Sequence, residues 1–191
     1  KGATCCNTAI MATAAGDTIK AVNNFTHSDG FISGIFEFKN NLTVLANTDG
    51  GSGTILVDGT GLQTFTTVGN HRTCRIYVDK ISGSFEPAVG TTDFYMQRFV
   101  LANGSYTAPA GNMAIGGNWG SSQTLFTHTG GTLIHNNGTL LVDPTVTSWA
   151  SSPTFTLDVI TMTALYNVVL NAVTCCNTAI IATAANDTVE A

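Results

Sequence analysis

One stretch of this chain occurs twice. Thr4-Cys5-Cys6-Asn7-Thr8-Ala9-Ile10 returns as Thr174-Cys175-Cys176-Asn177-Thr178-Ala179-Ile180, and the match runs on through residues 4–21 and 174–191, displaced by 170 positions (Thr4 to Thr174). Self-similarity at a fixed period marks modules that stack on copies of themselves. The expected organisation is a junction segment at 1–22, a β-rich module at 23–172, and the start of a next repeat at 173–191, equivalent to 3–21. Within the module, Gly53-Thr54-Ile55-Leu56-Val57-Asp58 resembles Gly138-Thr139-Leu140-Leu141-Val142-Asp143. This suggests two half-repeats near 23–88 and 89–172.

Between the duplicates the chain reads as many short strands. Apolar and β-branched segments at 17–22, 31–38, 42–46, 54–58, 62–68, 74–79, 92–101, 111–117, 123–128, 132–135, 139–143, 154–160 and 163–170 are separated by Gly, Asn and Ser clusters. No 3.6-residue periodicity is sustained, and Gly and β-branched residues are too frequent for long helices. The expectation is an all-β fold, a β-solenoid resembling a parallel β-helix, with a β-sandwich of hairpins as the alternative. Asn137-Gly138 suits a tight turn with positive φ.

Only 10% of the residues are charged, against about 25% in ordinary soluble domains. A net charge of -5 with seven Lys and Arg gives no basic tract, so nucleic acid is not an expected partner. No run of about 18 apolar residues occurs, so no membrane-spanning helix is expected. Nor does a charged and apolar leader open the sequence, so a secreted form is expected without its signal.

Five cysteines form two adjacent pairs plus one: Cys5, Cys6, Cys175, Cys176 and Cys74. None has C-x-x-C spacing, which favours disulfides in an oxidising compartment over a zinc or redox site. Neighbours on a strand point to opposite faces, so each cysteine of a pair is expected to bond outward and lock modules together. Cys74, beside His71, Arg72 and Arg75, is an intersubunit disulfide candidate or a buried thiol. Those neighbours could also lower its pKa. Sequons begin at Asn24, Asn41, Asn103, Asn137 and Asn186, all glycosylation candidates that lean toward the cell exterior.

Catalytic signatures are lacking. Gly50-Gly51-Ser52-Gly53-Thr54 opens like a calcium-binding nonapeptide but continues with Ile55 where a carboxylate is needed, so it reads as a flexible turn and no metal or cofactor is expected. His27, His71, His128 and His135 show no metal-ligand spacing and read as structural, although His128 and His135 fall on consecutive strands. The charges Asp79, Lys80, Glu86, Asp93 and Arg98 are the one concentration that would suit a polysaccharide lyase or hydrolase, and they read equally well as solvated loop residues. Trp119, Trp149, Tyr95 and Tyr106 would suit a carbohydrate-binding module.

The segments Asn23-Asn24-Phe25-Thr26-His27, Gly117-Asn118-Trp119 with Phe126-Thr127-His128, Gly130-Gly131-Thr132-Leu133 with Asn136-Asn137-Gly138-Thr139, and Leu165-Tyr166-Asn167-Val168-Val169-Leu170-Asn171 resemble the repeats of large secreted β-solenoid surface proteins of prokaryotes. Ala9-Ile10 through Gly16-Asp17-Thr18-Ile19 is similar to the opening of right-handed parallel β-helix domains. The resemblance implies a fold, cell-surface placement and a scaffolding role, and no active-site residues. The expected function is a structural protein, not an enzyme, whose partner is itself. It would assemble into an extracellular filament, tube or sheath cross-linked by disulfides; a glycan-binding or adhesin module is the alternative.

Overall fold

A computed structural model describes residues 3–5, 17–116, 125–142, 155–157, 167–170 and 180–182, with side chains over 17–116 and 125–141. The strands are β1 (Ala3–Cys5), β2 (Thr18–Ala21), β3 (Phe25–His27), β4 (Gly30–Phe31), β5 (Ile35–Phe38), β6 (Leu42–Val44), β7 (Thr48–Val57), β8 (Gln63–Thr67), β9 (Arg72–Pro87), β10 (Phe94–Thr107), β11 (Asn112–Ile115), β12 (Phe126–His128), β13 (Thr132–Ile134), β14 (Thr139–Val142), β15 (Phe155–Leu157), β16 (Asn167–Leu170) and β17 (Ile180–Ala182). Among the described residues there is no helix. The fold is all-β.

Fifteen strands form one sheet with the main order β1-β3-β6-β8-β9-β10-β11-β14-β16; β15 and β17 pair separately. Every strand pair among the described residues is parallel. Parallel partners cannot be joined by a tight turn. Accordingly Phe25 pairs with Leu42 and Leu140 with Val168, and where consecutive strands pair, as β8 with β9, β9 with β10 and β10 with β11, the partnered residues still lie 17 or more positions apart, as Phe94 and Met113 do. Among residues 125–142 the successive strands do not pair with one another as the hairpins of a sandwich would. β12 and β13 each lie against β10, and β14 lies between β11 and β16. Three elements are longer than expected because they bend while remaining paired: β7 runs beside β4, β5 and β9, β9 beside β7, β8 and β10, and β10 beside β9, β11, β12 and β13.

The parallel register places like on like. Ile19, Phe36, Ile55, Ile76, Phe99 and Phe126 follow one another across six strands. Ala21, Phe38, Val57, Val78, Leu101 and His128 form the neighbouring column on the same face. From Phe36 onward all these side chains are buried. Within the core the aromatic rings make a continuous row, from Phe36 through Phe25, Phe38, Phe85, Tyr106 and Phe99 to Phe126, with successive centroids 4.6–6.5 Å apart. The two hexapeptides that resemble each other lie in different stacks, 54–57 between β5 and β9 and 139–142 between β11 and β16.

Residues 50–53 are not a flexible turn. They are part of β7, and a Cβ on Gly51 would fall 2.1 Å from the Ile32 carbonyl oxygen, so this stretch is glycine because another backbone presses on it. At the later turn the positive φ angles belong to Asn136 (51°) and Asn137 (56°), one position earlier than expected. Gly138 serves close approach instead: its Cβ would meet the Pro109 oxygen at 2.1 Å.

Phe85 touches four other rings, those of Phe38, Phe65, Phe94 and Tyr106. Phe85→Ala is expected to cost roughly 3–5 kcal/mol, because the cavity opens where neighbours from several strands meet. Equilibrium denaturation measures it; a loss below about 1 kcal/mol, the scale of a surface change, would show that this row does not hold the strands together.

Candidate functional site

The features that bear on function are the polar ladders along the strand corners, the buried polar groups, and the open strand edges. At one corner the Asn24 side-chain oxygen accepts from the Asn41 backbone N–H (3.1 Å), and the Asn41 side-chain oxygen accepts from the Thr64 N–H (2.9 Å). Each asparagine therefore satisfies a donor that the bending chain would leave exposed. Asp93 does the same for Asn112, accepting from its backbone N–H (2.8 Å) and its amide (3.0 Å). Burial works against the Asp93 carboxylate, but these bonds and that from Thr92 hold its pKa below the usual range. On the outer face, Glu37 binds Lys20 and Lys39, each at 2.8 Å, and Lys39 binds Asp58 at 2.7 Å. Hydrogen bonds from Lys20 and Lys39 keep the Glu37 carboxyl ionised below its ordinary range.

Lys80 is not a loop charge. Its side chain is 1% exposed, and its ammonium donates to the Gly59 carbonyl and to Gln63 Oε1 (2.6 Å). Gln63, fully buried, also accepts from the Gly59 N–H (2.8 Å) and donates to the carbonyls of Phe38 (3.2 Å) and Asn40 (2.9 Å). One glutamine and one lysine thus satisfy backbone groups of Phe38, Asn40 and Gly59, on two successive passes of the chain. Burial pulls the Lys80 pKa down to about 8, with Asp58 acting in the opposite direction.

The remaining charges of that cluster do not converge. Asp79 accepts from Asn103 (2.7 Å), Glu86 from Ser84 (3.1 Å), Asp93 is committed to Asn112, and Arg98 lies in register with Arg75. No group of three or more His, Cys, Asp or Glu poised to hold a metal occurs among the described residues.

His27 and His128 end the two copies of a shared motif, Phe-Thr-His-x-x-Gly, at residues 25–30 and 126–131. Both are buried, and each places Nε2 on the carbonyl of the glycine three residues on, at 3.0 Å to Gly30 and 3.3 Å to Gly131, where positive φ turns the chain. A carbonyl only accepts, so Nε2 carries the proton in His27, and Nδ1 accepts from the Thr73 hydroxyl at 3.0 Å. Burial lowers the His27 pKa despite Gly30, Asp49 and Asp29. His128 and His135 do not share a strand pair, since β12 and β13 are each bonded to β10; His135 Nδ1 accepts from the Asn137 N–H at 2.9 Å.

Cys74 is a free, fully buried thiol, and burial pushes it up to about 12, the opposite of what the neighbouring cations would do alone. Cys5 ends β1, its side chain lying outside the described residues; Cys6, Cys175, Cys176, Trp119, Trp149 and Asn186 also lie outside them. Of the other aromatics considered for sugar stacking, Tyr106 is fully buried and Tyr95 half-buried. Asn24, Asn41, Asn103 and Asn137 are all exposed. The Asn103 amide donates to Asp79, whereas Asn24 and Asn41 use their oxygens.

The sheet has strands at its sides that are paired once among the described residues. Among the described strands, β1, β2 and β4 have a partner on one side only, as do β12, β13 and β16. Ile19 and Ala21 of β2 pack on the core, while Lys20 is turned back onto Glu37. Ile35 N–H donates to the Asp17 carbonyl, so the alternation of a parallel ladder directs the Thr18 N–H to the open side.

No protein-family model, curated protein or solved structure matches the chain.

Two measurements check the buried polar groups. The Tyr106 hydroxyl is buried and has no hydrogen-bond partner among the described residues, so Tyr106→Phe is expected to stabilise the fold by about 1–2 kcal/mol; a loss of stability would mean that the hydroxyl is bonded. For His27, the unfolded chain takes up a proton near its ordinary 6.5 while the folded chain resists it. The contribution is thus present above that pH and is lost as pH falls below it. The melting temperature should fall between about pH 6.5 and 5, and His27→Gln should flatten that limb while lowering stability at neutral pH.

Proposed function

We propose that the chain coils as a β-solenoid and is a structural module, stacking on further copies of itself to build a filament, tube or sheath at the cell surface. The observation that carries the reading is the conjunction of open parallel edges with the duplicated segment. A parallel strand with one free side presents a row of unpaired N–H and C=O groups, and natural proteins ordinarily block such an edge. Here the edge strand β2 offers one lysine, which Glu37 holds against its own sheet. Residues 174–191 repeat the sequence of residues 4–21, which includes that edge strand. A following module can take up the pairing where the previous one leaves it, whether the modules are separate subunits or successive parts of one polypeptide.

Few charges and many hydroxyl and amide side chains suit such a stack, because corner ladders continue across a junction without bringing like charges together. The cysteine pairs at 5–6 and 175–176 would then lie near each junction and close it by disulfides in an oxidising exterior. The exposed sequons agree with that location.

Electron microscopy of the purified chain tests the proposal. Extended stacks that lengthen with concentration are expected, and Thr18→Pro should abolish them while leaving the melting temperature nearly unchanged, since proline is tolerated where the strand N–H faces outward. Separate particles at every concentration, with only free-thiol monomer on non-reducing electrophoresis, would contradict it.

A further inference from the structure

The three arginines of this chain, Arg72, Arg75 and Arg98, fall on the two adjoining strands β9 and β10, in a protein of net charge -5. Arg72 stands in register with Asp49, but Arg75 stands in register with Arg98. Neighbouring strands are about 4.8 Å apart, so the two guanidinium stems rise side by side from one face. Like charges directly opposite each other destabilise a sheet. The column they occupy continues through Thr54, Ile35 and Thr18, and it contains no carboxylate. Glu37 and Asp58, the carboxylates that pair with Lys20 and Lys39, lie off this column.

We propose that Arg75 and Arg98 bind the anionic group of an acidic polysaccharide. Thr54 Oγ1 accepts from Arg75 Nε (2.9 Å) and Nη2 (2.5 Å), which fixes that guanidinium in orientation and leaves its other donors available. Arg98 donates to nothing among the described residues. Both are half-buried, and the partial loss of water, together with Arg75, weighs against the charge on Arg98. A carboxylate or sulfate seated between the two would accept from both and remove the repulsion. Tyr77, two residues beyond Arg75 and half-buried on the same face, stands between Leu56 and Val100. That gives an apolar strip beside the anion site, matching the face of a sugar ring next to its acidic group. The overall negative charge of the chain disfavours a densely charged polymer such as nucleic acid and suits a glycan with spaced charges.

The site needs only one copy of the chain and is independent of the stacking proposal. Calorimetric titration with a polyuronate, a sulfated dextran, neutral dextran and a short DNA duplex tests it. One of the two acidic glycans should bind, and which one names the anion; neutral dextran should not. Arg98→Gln should weaken binding at least tenfold and also raise the melting temperature, because it removes the like charge. Arg75→Gln should likewise weaken binding. Absence of binding to both acidic glycans, equal binding of neutral dextran, tighter binding of the duplex, unchanged affinity in the two variants, or a lower melting temperature for Arg98→Gln would each overturn the proposal.

Discussion

The fold depends on parallel backbone pairing held in register over many strands. Where a strand lies between two others in register, a side chain has a neighbour of equivalent position above and below, and the chemistry of the chain sorts into columns. Apolar columns face inward and close into one aromatic-rich core. Asparagines and other amides suit the corners, because an amide on one pass satisfies the backbone of the next. Charge is expensive in such an arrangement unless it alternates, as Lys20 and Glu37 do. The small number of ionised residues follows from that constraint.

Buried polar groups keep the passes aligned. Gln63 and Lys80 together bond Phe38, Asn40 and Gly59, residues from different passes. Shifting the register by one residue would leave several of these groups buried without partners, each at a cost of about 1–3 kcal/mol. His27 and His128 act at another corner, fixing the turn after a short strand by bonding the carbonyl of a positive-φ glycine. The hydrophobic columns supply the gain in burial, and these networks decide which alignment receives it.

Much of the strand content was legible in the sequence, since punctuated apolar segments mark strands whatever their partners. Who pairs with whom was not. Segments such as 123–143 carry the same alternation and turn residues whether they form hairpins or lie on earlier strands, because pairing over a distance leaves no local signal. The long reach of β9 through Ser82-Gly83-Ser84 was hidden for a related reason: those residues read as a loop, but a bent strand paired on both sides needs small side chains at its corner. Lys80 read as a solvated charge, since nothing in its neighbourhood reveals that Gln63 and the Gly59 carbonyl await it. The Phe-Thr-His-x-x-Gly motif was visible as a likeness between two stretches, yet its role as a corner clasp needed the fold. Arg75 and Arg98 could not have been matched beforehand, because the distance between successive passes varies along the chain, from Phe25 to Leu42 up to Leu140 to Val168.

The edges that have one partner among the described strands, and the repeat of the segment that contains one of them, are the ground for the proposed assembly. The same pairing that orders one copy would continue into the next, with strands lying across the long axis of the stack. X-ray diffraction from aligned, assembled material measures that directly. The account predicts a sharp reflection near 4.8 Å along the fibre axis, from strands stacked in that direction. A strand-spacing reflection perpendicular to the axis instead would mean that copies associate through their faces, and would contradict it.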